Sequence, residues 1–129
     1  MIFDRDKTRN SRKTLQIGSQ KIVLDSRGLI PAVLQVKNEK QGQAVNLVYL
    51  NETALEMCVT RGELYIFRRS RQDLEKVLDQ EGNPVRVNSI KLSSNRRALI
   101  INIYRGEKEI LENAFVHRIY IHPDEIGTL

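Results

Sequence analysis

The chain has one cysteine, two histidines, three prolines and no tryptophan in 129 residues. A single cysteine, Cys58, excludes an intrachain disulfide and any cysteine-rich zinc site built within one chain. Its apolar neighbours Met57 and Val59 are the ordinary setting of a buried free thiol, not of a nucleophile activated by a histidine or a helix N-terminus. No apolar run approaches the roughly 20 residues needed to cross a bilayer. The first seven residues also lack the charged-then-apolar order of a signal peptide. A cytoplasmic location without membrane attachment is therefore expected. Aromatics make up 5% of the chain, and none interleaves the charges near the N-terminus, so no base-stacking platform is expected there.

What is present is an ordinary globular balance, 40% hydrophobic and 29% charged residues. The length suits one domain with its own core. The net charge of +5 permits an anionic partner. Much of the excess lies in Arg5, Lys7, Arg9, Arg12 and Lys13, interrupted by Asp4 and Asp6. Residues 1–13 accordingly read as a mobile basic arm, solvated or touching phosphate, and residues 14–129 as a single domain.

Hydrophobic patterning predicts an α+β fold, predominantly β-stranded, with one main helix over about 51–61. Thr14 to Ile17 and Lys21 to Leu24 flank Gly18-Ser19-Gln20 as a hairpin. A turn at Asp25-Ser26-Arg27-Gly28 leads to an apolar run ending at Val36, in which Pro31 predicts a strand that starts after it or lies on an edge. Lys37 to Gln43 reads as a hairpin loop, and Val45 to Leu50 as a strand buried mostly on both faces. Asn51 and Gly62 suit the two caps of a helix whose apolar face is Leu55, Cys58 and Val59.

Glu63 to Arg68 is a strand, and Ser70-Arg71-Gln72-Asp73 resembles a capping box before a short helix or structured loop. Val85 and Val87 are out of phase with Ile90 and Leu92, which a bulge near Asn88-Ser89 would reconcile. Strands over Ala98 to Tyr104 and Phe115 to Ile121, separated by a turn at Arg105 to Lys108, complete the set.

Four stretches, in order, resemble the phosphoribosyl-AMP cyclohydrolase family of histidine biosynthesis. The run from Gly28 to Gln35 resembles its Gly-Leu-Ile-Pro-Ala-Ile-Val-Gln. Leu47 to Leu55 is similar to its Leu-Ala-Tyr-Met-Asn-x-x-Ala-Leu. Gly62 to Leu74 is similar to the strand ending in Ser-Arg-Ser-x-x-x-Leu-Trp, and Ile90-Lys91-Leu92 with Ala98-Leu99 frames the place of its metal loop. The resemblance implies a dimer with its site at the subunit interface and a zinc-activated water, with magnesium nearby.

The departures fall on that chemistry. Where the family carries Asp-Cys-Asp-x-Asp, this chain has Ser93, Ser94, Asn95 and Arg97. Neither serine loses its proton near neutral pH, and Arg97 puts positive charge where a divalent cation would sit. The family's C-terminal Cys-His-Thr-Gly-Arg-Arg-Ser-Cys is absent; the region reads Glu112 to Arg118. His117 and His122, the only histidines, are spaced for opposite faces of a strand, so they do not rebuild a metal site.

No catalytic residue, metal or cofactor is therefore expected. Arginines that could hold phosphate without metal remain: Arg68, Arg69 and Arg71 around Ser70, and Arg96 with Arg97. The leading expectation is a non-catalytic, homodimeric binding or regulatory subunit of this fold, recognising a phosphorylated nucleotide or phosphosugar. The alternatives are a metal-independent or altered hydrolase of a phosphoribosyl nucleotide, and a basic nucleic-acid-binding module.

Overall fold

Alternating apolar residues build one sheet face, and that face organises the rest of the chain. The structure, a computed structural model, describes residues 12–36, 43–104 and 113–124. The elements in order are β1 (Lys13–Ile17), β2 (Gln20–Leu24), β3 (Leu29–Val36), β4 (Gln43–Asn51), α1 (Glu52–Arg61), β5 (Tyr65–Arg68), β6 (Asp73–Lys76), β7 (Val87–Leu92) and β8 (Leu99–Ile103). Strands β4-β3-β8-β7 form a four-stranded sheet, antiparallel except for the β3–β8 pair, while β1–β2 and β5–β6 are separate hairpins. The expected α+β, mostly β architecture with one main helix is what the chain adopts.

Ile30, Ala32 and Leu34 of β3 lie opposite Leu50, Val48 and Asn46 of β4, and Ala32 and Leu34 lie beside Leu99 and Ile101 of β8. Strand alternation puts all of these on one face. Ala54, Leu55 and Cys58 of α1, Ile22 and Leu24 of β2, and Leu64, Tyr65, Ile66 and Val85 complete the same core. Full burial of each large aliphatic side chain contributes about 1.5–3 kcal/mol, so this shared face dominates the stability.

Local chemistry fixes the element ends. The Asn51 side chain accepts from the Ala54 N–H at 2.8 Å, and Gly62, at φ 67°, donates its N–H to the Cys58 carbonyl. On this helix Val59 departs from expectation: it faces solvent, 52% exposed. The expected bulge is present as a register shift between Val87 and Ser89, which returns Ile90 and Leu92 to the core side.

Pro31 sits inside a central strand, not before a strand or on an edge strand. The β8 ladder begins only at Ala32, so Pro31 lies in an overhang where no partner on that side needs its missing N–H. Strand β4 is buried less than expected, with Leu47 48% exposed, because only the even-numbered residues face the core until a bulge near Val45.

The short helix considered after Ser70 is a hairpin instead. Leu74 pairs with Phe67 and Asp73 with Arg68, since β5 offers an open edge that a one-turn helix would leave unpaired. Phe115 to Ile121 is not a strand: the segment 113–121 has no regular structure, with Ala114 N–H donating to the Val45 carbonyl. Most of the basic arm, the loop at 37–42 and the turn at Arg105 to Lys108 lie outside the described residues; Lys13 belongs to β1.

Candidate functional site

The candidate arginines lie on the β5–β6 turn and the β7–β8 loop, and the structure ties each to a different neighbour. In the β7–β8 loop, the Ser93 hydroxyl donates to the Asn95 side-chain oxygen at 2.7 Å and accepts from the N–H groups of Arg97 and Ala98. Asn95 also accepts from Arg97 N–H. The Arg96 backbone is left-handed, φ 66°; its carbonyl accepts from Val23 N–H, and its guanidinium donates to the Gln20 side chain and the Lys21 carbonyl. The loop is thus closed on itself and latched to the β1–β2 hairpin, with Arg97 exposed.

The metals implied by the resemblance do not fit these residues. Ser93 and Asn95 are neutral donors already bonded to each other and to backbone. Among the described residues, no group of three or more His, Cys, Asp and Glu could hold a metal ion. Cys58 lies in the core, its Sγ bonded to the N–H and carbonyl of Tyr65, and burial pushes its thiol pKa up to about 11. Among the described residues, His122 meets only Asp124, at 3.6 Å, on an exposed stretch.

The β5–β6 turn is arranged differently. Residues 69–72 form a tight connection with Gln72 at φ 51°, its side-chain amide donating to the Arg69 carbonyl. Arg68 and Arg71 both turn to Glu75 on β6. Hydrogen bonding to Arg68 holds the Glu75 carboxyl below its ordinary range, and the same bond raises Arg68. These two arginines are therefore charge-compensated. Arg69 points the other way, stacked 3.9 Å above the Tyr49 ring, and Ser70 is exposed.

Arg69 there meets residues that sequence patterning did not single out as ligand contacts. A cavity of about 210 Å³ is lined by Arg27, Leu29, Asn51, Phe67, Arg69 and Gln72. It lies at one end of the sheet, where Leu29 opens β3 opposite Asn51 at the end of β4. The turn carrying Arg27 is built by Asp25, whose side chain accepts from the N–H groups of Arg27 and Leu29, while Gly28, at φ 79°, closes it. The Lys13 side chain lies across Gly28, with Cδ and Nζ 3.7 Å from where a Cβ would stand. Among the described residues, no carboxylate lines the cavity. The turn at Asp25 to Gly28 was legible in the sequence; that it faces Arg69 was not, because the two are joined only by tertiary pairing.

No protein-family model matches the chain. It is similar to a phosphoribosyl-AMP cyclohydrolase of Bacillus cytotoxicus, 31% identical over 101 residues, covering 73% of this chain and 94% of that protein. It is also similar to two proteins named histidine biosynthesis bifunctional protein HisIE. The one from Caldanaerobacter subterraneus is 33% identical over 87 residues, 67% of this chain and 42% of that protein. The one from Halalkalibacterium halodurans is 28% identical over 116 residues, 84% of this chain and 54% of that protein. The chain spans about half the length of these bifunctional relatives.

Proposed function

The chain belongs to the phosphoribosyl-AMP cyclohydrolase family, and from that premise we propose that it is a non-catalytic member, a cytoplasmic binding or regulatory subunit for a phosphorylated nucleotide or phosphosugar. The observation that carries this reading is the β7–β8 loop. Ring opening by a metal-activated water requires acidic and thiolate donors, and the loop at that place uses Ser93 and Asn95 to satisfy its own backbone and Arg96 to hold a hairpin. A guanidinium at Arg97 further disfavours a divalent cation there.

The binding half of the reading rests on Arg69 and Arg27. Neither guanidinium is engaged by a carboxylate among the described residues, and both residues line one cavity. Arginine without a local counter-ion is suited to a phosphate oxygen pair.

The reading includes a homodimer. Phe115, Val116, Ile119 and Tyr120 are exposed, Ile119 fully, and Leu47 and Ile100 leave apolar surface on the sheet face away from the core. Exposed apolar surface of this kind is rare on a monomer, and a second copy supplies both halves of the contact. Sedimentation of the wild-type chain should give a dimer and Ile119→Asp a monomer; a wild-type monomer removes this part.

The main test is metal content and turnover. Purified protein should hold no stoichiometric zinc and leave phosphoribosyl-AMP unchanged with zinc and magnesium supplied. Stoichiometric zinc or measurable ring opening overturns the proposal.

A further inference from the structure

We infer that the face made by the β1–β2 hairpin and the β7–β8 loop binds the phosphate backbone of a nucleic-acid duplex, with Arg12, Lys21 and Arg97 as the contacting cations. None of these residues lines the cavity, so the inference goes beyond the reading above.

The first support is the segregation of charge. Strands β1, β2, β3, β4, β7 and β8 carry no carboxylate side chain. From Lys7 to Asn38 the only Asp or Glu is Asp25, and from Gly82 to Gly106 there is none. Asp25 is already occupied by the N–H groups of Arg27 and Leu29. Apart from Asp124, the other carboxylates of the described residues lie between Glu52 and Glu81, on the side of α1 and the β5–β6 hairpin. The ion pairs follow the same division, since Glu63 takes Lys76 and Glu75 takes Arg68 and Arg71. Among the described residues the positive excess therefore belongs to the β1–β2 hairpin and the four-stranded sheet.

The second support is geometry. Lys21 pairs with Gln16 on the hairpin face opposite to that of Leu15 and Ile22, which pack into the core. Arg12 immediately precedes β1 and is exposed, as is Arg97 in the loop. The loop is fastened beside the hairpin: Val23 N–H donates to the Arg96 carbonyl at 2.8 Å. The Arg96 guanidinium donates to the Gln20 side chain at 3.1 Å and to the Lys21 carbonyl at 3.0 Å. Arg96 thus joins the segments that carry Lys21 and Arg97, and the face is set before any ligand arrives. Among the described residues, no carboxylate pairs with Arg12, Lys21 or Arg97.

The third support is what else the face holds. Thr14, Gln16 and Ser94 are exposed there, and such side chains hydrogen-bond phosphate oxygens. Strands β1, β2, β7 and β8 contain no aromatic residue. Unstacked bases would find no platform, which argues against a single strand and for a duplex whose bases stay stacked. The outer hairpin face also lacks the Trp, Phe or Leu that an anionic membrane surface would take up.

Fluorescence anisotropy of the full chain with a short labelled duplex of mixed sequence tests this. Binding should weaken with salt along a log–log slope of about −0.9 for each phosphate contacted, and a scrambled duplex should bind equally. Lys21→Gln and Arg97→Gln should each weaken binding several-fold and reduce the slope by about one. Lys21→Arg and Arg97→Lys keep the charge and should bind as wild type does. Arg61→Gln, exposed on α1, should leave affinity and slope unchanged. Circular dichroism melting checks that each variant folds; should a Gln variant fail to fold, Arg12→Gln, outside every strand, decides in its place.

Unchanged affinity in the folded Gln variants overturns the face, as does an equal loss in Arg61→Gln. Equal or tighter binding of a single strand, of polyglutamate or of anionic phospholipid vesicles overturns the duplex as partner. No binding of the duplex at low salt overturns the inference. Metal content and ring opening judge the non-catalytic reading separately.

Discussion

The β5–β6 turn and the β7–β8 loop each carry adjacent arginines, yet they use them in opposite ways. In the first, Glu75 takes Arg68 and Arg71 and leaves Arg69 facing the cavity. In the second, Arg96 is bonded across to Gln20 and Lys21, and the loop's polar side chains are bonded to its own backbone. Density of arginine along the chain therefore does not locate an anion site. The proposed site rests instead on two arginines that line one cavity and have no carboxylate partner among the described residues.

Four substitutions would break or sharpen this contrast. The largest stability effect is expected from Asp25→Ala, which orphans two backbone N–H groups at the turn carrying Arg27 and should cost about 1–3 kcal/mol in denaturant unfolding. It should also weaken phosphosugar binding, whereas a full loss of stability with unaltered affinity would separate the turn from the site.

Ser93→Ala should cost about 1–2 kcal/mol, since its hydroxyl accepts two backbone N–H groups in the loop. Phosphate affinity should not change, because no described residue of the loop lines the cavity. Arg96→Met should cost about 1 kcal/mol and raise amide exchange in the β1–β2 hairpin more than elsewhere. Uniform exchange across the molecule would refute the latch.

The smallest effect is expected from Glu75→Gln, about 0.2–1 kcal/mol, because both of its partners are substantially exposed. Its pH dependence has a definite sign. Glu75 titrates below its ordinary value in the folded chain, so its stabilisation is present above the unfolded-state pKa and is lost as pH falls through the folded one. Glu75→Gln should flatten that acid limb of a stability–pH curve. It should also free Arg68 and Arg71, and tighter phosphate binding with lower selectivity for Arg69 is the expected consequence.

Cys58 provides a control on the core. With its thiol pKa raised to about 11 by burial, stability should decline as pH rises above the unfolded thiol's value of about 8.5. A thiol reagent at pH 8 should react only as the chain unfolds; rapid labelling of the native protein would contradict its burial.

Much of the framework was legible in residue order. The caps Asn51 and Gly62, the Gly18 hairpin, the Asp25–Gly28 turn and the Asn88 bulge all follow from chemistry confined to a few neighbouring residues. The misreadings share a cause. Leu74, Val77 and Leu78 have helical spacing, but the open edge of β5 captured the segment as β6. Pro31 marks a break in isolation, but β8 starts one residue later and tolerates it.

By itself, then, the sequence determined the strand-rich α+β framework, the helix over Glu52–Arg61, the family likeness and a stretch from Ser93 to Arg97 without carboxylate or thiol side chains. Those are properties of residue type and local spacing. Only the tertiary structure decided that Arg27 and Arg69 share a cavity, that Glu75 compensates Arg68 and Arg71, and that Arg96 serves the β1–β2 hairpin. Charge compensation depends on distance in space, and strand pairing sets those distances between segments that sequence order leaves far apart.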